Sequence, residues 1–205
     1  MNTPHTPNTA MQIFGELRQM AWVVPKGTFD SHLDHWINSL GVGPWIVVER
    51  PPVINVVHRG QPSELNFSFA IAHMGAIQVE IIEQHDDAPT TYSEFMTATN
   101  GEGGLHHIAF WPDDIEVAHT QVTEQLGWSL VTKAQIGENA KFRYYETPKP
   151  LVGMPSAPVM ELAQVAGASR DYFLNDMAAL SRTFNPATDN GVLRRGMSQQ
   201  SMSKQ

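Results

Sequence analysis

The chain carries one pattern of elements twice, and that repetition limits the folds open to it. The first copy begins with "QMAWVV" (19–24), an apolar strand led by a glutamine. It continues through "TFDSHLDHWINSLG" (28–41), where Phe29, Leu33, Trp36, Ile37 and Leu40 recur at helical spacing and Gly41 ends the helix. "WIVVER" (45–50), "INVVH" (54–58), "LNFSFAIAH" (65–73) and "AIQVEIIEQ" (76–84) then read as strands separated by proline or glycine. After a loop (85–105) the order returns. "HHIAFWP" reads as a strand, and "DDIEVAHTQVTEQLGW" as a helix with Ile115, Ala118, Val122 and Leu126 on one face. "SLVTKAQI", "KFRYYET" and "PVMELAQV" read as three strands. A last segment (169–184) reads as an amphipathic helix bearing Tyr172, Phe173, Met177, Leu180 and Phe184. The order is βαβββ, βαβββ and a helix. Corresponding landmarks keep nearly constant separations: Gln19 and His107 lie 88 residues apart, the "LG" pairs at 40–41 and 126–127 lie 86 apart, and Glu80 and Glu161 lie 81 apart.

The expected fold is therefore α+β. Two βαβββ modules (16–88 and 104–166) curl a mixed sheet around a cleft, followed by a C-terminal helix (167–186). A polar N-terminus (1–15) and tail (187–205) read as flexible. The net charge of −8 argues against nonspecific binding to nucleic acid or acidic membrane. Apolar runs fall far short of the ~20 residues a membrane span needs. No charged-then-apolar leader opens the sequence, so the default compartment is cytoplasmic. The absence of cysteine removes thiolate nucleophiles and thiolate metal sites, which leaves nitrogen and oxygen ligands for any metal.

The first and last strands of each module can each turn one polar side chain inward: Gln19, Glu80, His107 and Glu161. Gln19 shares its strand face with Ala21 and Val23, His107 with Ala109, and Glu161 with Val159 and Ala163. A carboxylate in such a run is costly to bury unless it is paired or bound to a cation. Two carboxylates, an imidazole and an amide oxygen form a set suited to Zn²⁺, Ni²⁺, Co²⁺, Mn²⁺ or Fe²⁺. Taken singly, each has a plainer reading: a hydrogen-bonded strand histidine, a solvent-facing glutamate, an ordinary glutamine. Their matching places in the repeat carry the metal reading. Strand alternation selects His107 over His106, whose side chain is expected on the opposite face.

"QMAWVVPKGTFDSHLDHWINSLGVGPW", "AIQVEIIEQ", "GLHHIAFWPDDIEVAH" and "PVMELAQV" together resemble the vicinal oxygen chelate superfamily of glyoxalase I, methylmalonyl-CoA epimerase and extradiol dioxygenases. "GLHHIAF" and "VGPW" look most like the epimerase-like members. The resemblance implies a divalent metal on Gln19, Glu80, His107 and Glu161, with Glu161 as the base that moves a proton next to a carbonyl while the metal stabilises the enolate. It also implies a small-molecule substrate with a carbonyl or adjacent oxygens, and a homodimer. Glu49, His58 and Glu64 are candidates for a second acid or base. Gln19, where ring-cleaving dioxygenases need a histidine, argues against that chemistry. Glu80 and Glu161 argue against the metal-free sequestering relatives. Val23 and Gln84 replace an arginine and an asparagine of the glutathione-using lyases, while the epimerase usually has histidine first. A metal-dependent isomerase, epimerase or lyase is the expected function; a glyoxalase I-like lyase or a non-catalytic small-molecule binder is the alternative. Trp22, Trp45, Trp111, Met74, Met154 and Phe142 are candidates to line an apolar pocket, and "TPKPLVGMPSAP" (147–158) to form its lid.

Overall fold

The computed structural model describes residues 13–137, 140–148 and 159–195. Their strands form one mixed sheet, and its order is best read from the centre. β1 (Gln19–Val23) lies antiparallel to β7 (Gly104–Phe110). Outward from β1 run β6 (Ile77–Gln84), β5 (Phe67–Met74) and β2 (Trp45–Glu49). Outward from β7 run β10 (Val159–Val165), β9 (Ala140–Glu146) and β8 (Ser129–Ile136). The two βαβββ modules are thus joined edge to edge through their first strands.

Each module buries its convex face under its own helix. α1 (Phe29–Asn38) places Phe29 and Leu33 against Trp45, Val47, Val79 and Ile81. It has no side-chain cap of its own. Instead Glu83 on β6 accepts from the backbone N–H groups of Gly27, Thr28 and Phe29, at 2.9, 3.1 and 3.0 Å. That carboxylate satisfies the otherwise orphaned donors of the first turn. α3 (Ile115–Gln125) is capped by Asp114 and packs Ile115, Ala118 and Val122 on Phe110, Tyr145 and Leu162. The concave face has a separate core that includes Ala21, Phe67, Ile82, Tyr92, Phe142 and Tyr144.

The structure departs from the sequence reading in three places. "INVVH" is a strand, but β3 (Val53–His58) leaves the first module: it pairs with β8 at the far edge of the second and carries the two-residue β4 (Gln61–Pro62). Pro51 and Pro52, lacking N–H donors, cannot extend the ladder from β2. The 85–105 loop contains a helix, α2 (Thr91–Ala98), whose Thr- and Ser-rich sequence hides it. A reciprocal cap holds it: Thr90 accepts from Tyr92 and Ser93, and Ser93 Oγ accepts from the Thr90 N–H at 2.9 Å. Finally, the tail expected from 187 onward contains β11 (Val192–Arg195), parallel to β2 at the sheet edge. The remainder of the N-terminus (1–12), the tail from 196, Met154 and most of the 147–158 loop lie outside the described residues.

The C-terminal helix, α4 (168–181), has an α-turn at each end and a π-helical turn at Tyr172–Met177 between them. Met177 packs on Ile46 and Ile71, while Arg170 Nη2 donates to the Trp111 carbonyl at 3.3 Å and pairs with Asp113 at 3.1 Å. The helix therefore joins the first module to the loop that follows β7.

Gly103, just before β7, has φ +73°, and a Cβ there would meet the Val23 carbonyl oxygen at 2.3 Å. Gly103→Ala is expected to cost about 2–4 kcal/mol by combining left-handed strain with a backbone clash. Urea unfolding checks this; an unchanged midpoint would show that the junction of β1 and β7 relaxes freely.

Candidate active site

Pairing register decides what faces the cleft. Across β1 and β7, Gln19 opposes Ala109 and Ala21 opposes His107. Glu80 lies beside Ala21 on β6, and Glu161 beside Ala109 on β10. Ala21 and Ala109, both 0 % exposed, form a small-residue floor with the four polar side chains around it. Any larger residue at these two positions would fill the space between them.

The four expected residues come together. His107, itself 0 % exposed, has Nε2 2.9 Å from Glu161 Oε2, 3.6 Å from Glu80 Oε2 and 3.4 Å from Gln19 Oε1. Despite the short approach, Glu161 Oε2 is buried without a well-directed hydrogen bond among the described residues. Bonds of about 2.1 Å to a shared ion would set neighbouring donors about 3.0–3.4 Å apart. The observed separations lie close to that spacing, so the residues fit a divalent ion on nitrogen and oxygen donors. In the conformation seen they are no ready-made cage: the imidazole and the carboxylates meet directly, as an ion pair does. Burial is the largest single influence on His107 and opposes its charge, but Glu161 and Glu80 together outweigh it and raise its pKa to about 9. Burial in turn pushes the Glu80 carboxyl up.

A metal must displace that proton. We expect Zn²⁺ or Ni²⁺ added to chelator-treated protein near pH 7.5 to release about one proton or more per ion, measured with a pH indicator in weak buffer. Release should fade above about pH 10, and no release at pH 7.5 would show that His107 is neutral before binding. Because the folded-state pKa lies above the ordinary value of 6.5, the metal-free protein should lose stability as pH rises from about 6.5 through about 9.

Residues that sequence reasoning missed hold this set in place. His106 is the principal correction. The β1–β7 register passes from Ala21↔His107 to Trp22↔Leu105, so His106 is the extra residue of a β-bulge. It does not turn to the opposite face. It is buried, with Nδ1 2.9 Å from His107 Nδ1 and Nε2 3.2 Å from Thr91 Oγ1, among Tyr92, Phe95 and Tyr144. Burial, reinforced by the charge on His107, pushes its pKa well below normal, so it is the acceptor of the pair. His107 is thereby fixed with Nδ1–H toward His106 and Nε2 toward the carboxylates. The glycine-rich "GEGG" that leads into β7 and supplies its first residue was the available signal for such a bulge. Gln78, two residues before Glu80 on the same face, accepts from Gln19 Nε2 at 2.6 Å and so aims the Gln19 amide oxygen at His107.

A cleft of about 240 Å³ opens above this floor, lined by Gln19, Gln78, Glu80 and Glu161 and by several aromatic rings. Of the expected lining residues, Trp111 and Phe142 belong to it. Trp22 and Trp45 instead pack under α1, and Met74 is exposed. Phe67 and Phe69 were legible as alternate residues of one strand, whereas Phe173 arrives only through the return of α4. Tyr92 and Tyr144 also line the cleft, 2.7 Å apart at their hydroxyls; burial and then the nearby carboxylates raise both pKa values well above normal, so both stay protonated. None of the three second acid/base candidates lines it. His58 lies between Thr132 Oγ1 at 2.7 Å and Glu94 Oε1 at 3.0 Å, holding β3 to β8 and α2. Glu49 borders a separate convex depression with Glu83, and Glu64 is exposed.

The chain is similar in fold to several solved structures. A methylmalonyl-CoA epimerase from Mycobacterium tuberculosis superposes with a TM-score of 0.50 at 15 % identity, covering 82 % of this chain and 97 % of that one. Another methylmalonyl-CoA epimerase gives 0.44 at 19 % identity, covering 74 % and 95 %. A variant of 4-hydroxymandelate synthase from Streptomyces coelicolor gives 0.48 at 18 % identity, covering 82 % of this chain and 54 % of that one, about half its length. Comparison with curated protein sequences gives no match. The family model described as the Glyoxalase/Bleomycin resistance protein/Dioxygenase superfamily matches residues 18–145. That span covers both first strands and most of the two modules, and the chain belongs to this superfamily, whose members are mostly enzymes and often bind divalent metals.

Proposed function

We propose that the protein is a metal-dependent isomerase, epimerase or lyase that removes a proton next to a carbonyl. The observation that carries this reading is the meeting of His107, Glu80, Glu161 and Gln19 within 3.6 Å of one imidazole nitrogen, at the floor of an apolar cleft. A divalent ion held by these four residues would supply a Lewis acid for the substrate oxygens.

The rest of the chemistry belongs to the chain. Glu161 lines the cleft, with its Oε2 turned to His107 Nε2 at 2.9 Å, and it is our candidate for the group that takes the proton. The Tyr92–Tyr144 pair presents neutral hydroxyls rather than a second base. Gln78 and His106 move no proton to substrate; they orient Gln19 and His107.

The test pairs elemental analysis with deuterium incorporation from heavy water. Protein expressed with ample metal should hold close to one divalent ion per chain. It should also exchange the hydrogen next to the carbonyl of a substrate drawn from acyl-CoA, hydroxy-ketone and lactone panels. Less than about 0.2 ion per chain would remove the enzyme reading and leave a small-molecule binding protein of the same fold.

A further inference from the structure

We infer that the cleft takes an uncharged carbonyl compound bearing an apolar ring, and not a carbonyl carried on an anionic thiol such as coenzyme A or glutathione. The inference names the substrate class for the proton-transfer site proposed above.

Three features of the cleft support it. First, its wall is aromatic. Phe67 and Phe69 stack with centroids 5.5 Å apart, Phe142 lies 6.5 Å from Phe67, and Trp111 meets Phe173 edge-on at 6.5 Å. Such rings favour offset or edge contacts with another ring.

Second, the charges are wrong for an anionic carrier. Glu80 and Glu161 lie at the floor, and Lys141 is the one cationic side chain among the described lining residues. Its side chain is 45 % exposed and stands 3.9 Å from Glu116. Coenzyme A brings three phosphate groups, and glutathione two carboxylates against one ammonium. Neither would find a built site among the described residues, and the net charge of −8 opposes their approach.

Third, apart from Glu161 Oε2 beside His107, the unpartnered polar groups of the cleft among the described residues are neutral donors. The phenols of Tyr92 and Tyr144 hold two O–H groups, and their mutual 2.7 Å bond uses one. The other has no acceptor among the described residues. Gln78 Nε2 is likewise buried without a partner, although Gln78 lines the cleft. A buried donor without an acceptor is costly. Carbonyl or hydroxyl oxygens at one end of an otherwise apolar ligand would satisfy both.

The test uses the full chain with metal, and reads binding by calorimetry and by quenching of tryptophan fluorescence, since Trp111 borders the cleft. The probes are 2-hydroxyacetophenone, its ring-free counterpart hydroxyacetone, propionyl-CoA and S-lactoylglutathione. 2-Hydroxyacetophenone should bind at least about tenfold more tightly than the other three, and Phe142→Ala should remove most of that margin. Tyr144→Phe, which keeps the ring and deletes a hydroxyl, should weaken the aromatic ketone severalfold. Tighter binding of either thiol adduct, or equal binding of the two ketones, would overturn the inference. Deuterium incorporation into acyl-CoA alone would also overturn it while leaving the proton-transfer reading intact. Preferred binding of the aromatic ketone without exchange would sink that reading and support the ligand class.

Discussion

Glu161→Gln should lower deuterium incorporation by about 10²–10⁴-fold, the range expected when a positioned general base is removed. The variant is informative because glutamine keeps the shape of the side chain and one oxygen donor while losing its basicity. Glu161 is 5 % exposed on β10, directly beside Ala109, so an isosteric change disturbs the packing little. Metal content must be measured on the same sample. If more than about half an ion per chain remains and exchange collapses, the loss belongs to proton transfer. If metal and exchange fall together, Glu161 acts chiefly as a ligand. Exchange at the wild-type rate removes it as the base altogether. A group that both binds an ion and takes a proton must loosen one interaction to perform the other. Among the described residues Glu161 Oε2 is held by its 2.9 Å approach to His107 Nε2, the contact that would have to loosen.

How far the site could be read from sequence depended on regularity. Gln19, Glu80, His107 and Glu161 were legible because each lies in a strand with two-residue alternation, and because the repeat placed them in pairs. Departures from alternation were not legible. The bulge at His106 shifts one residue out of register, so parity assigns it to the wrong face. β3 reads correctly as a strand, but strand pattern does not reveal its partner, and Pro51 and Pro52 send it to the opposite module. α2 is stabilised by a reciprocal cap and by burial of Tyr92 and Phe95, not by its own helix propensity. Its contribution to the site, Thr91 and Tyr92, was lost with it. Phe173 depends on where α4 packs, which is set by tertiary contacts of Met177 and Arg170.

The second large effect is expected at the histidine pair, where the two rings should fail differently. His107→Ala removes one of four donors. If binding free energy is shared about equally, roughly 2.5–4 kcal/mol disappears, a loss of about 10²–10³-fold in affinity. It also leaves Glu80 and Glu161 buried without their cationic partner when metal is absent. The metal-free variant should therefore unfold at lower temperature than metal-free wild type at pH 8. Because burial already pushes the Glu80 carboxyl up, that difference should shrink toward pH 5 as the carboxyl takes its proton. His106→Phe keeps a ring among Tyr92, Phe95 and Tyr144 but deletes the acceptor for His107 Nδ1. Metal affinity should then fall by about 10–100-fold, the usual effect of losing a partner that orients a ligand. All four donors remain in that variant, so saturating metal should restore occupancy, whereas His107→Ala should remain poorly loaded under the same conditions. Competition with a chelator of known affinity separates these outcomes. Equal losses in the two variants would mean that His106 itself binds the ion, through the nitrogen now 2.9 Å from His107.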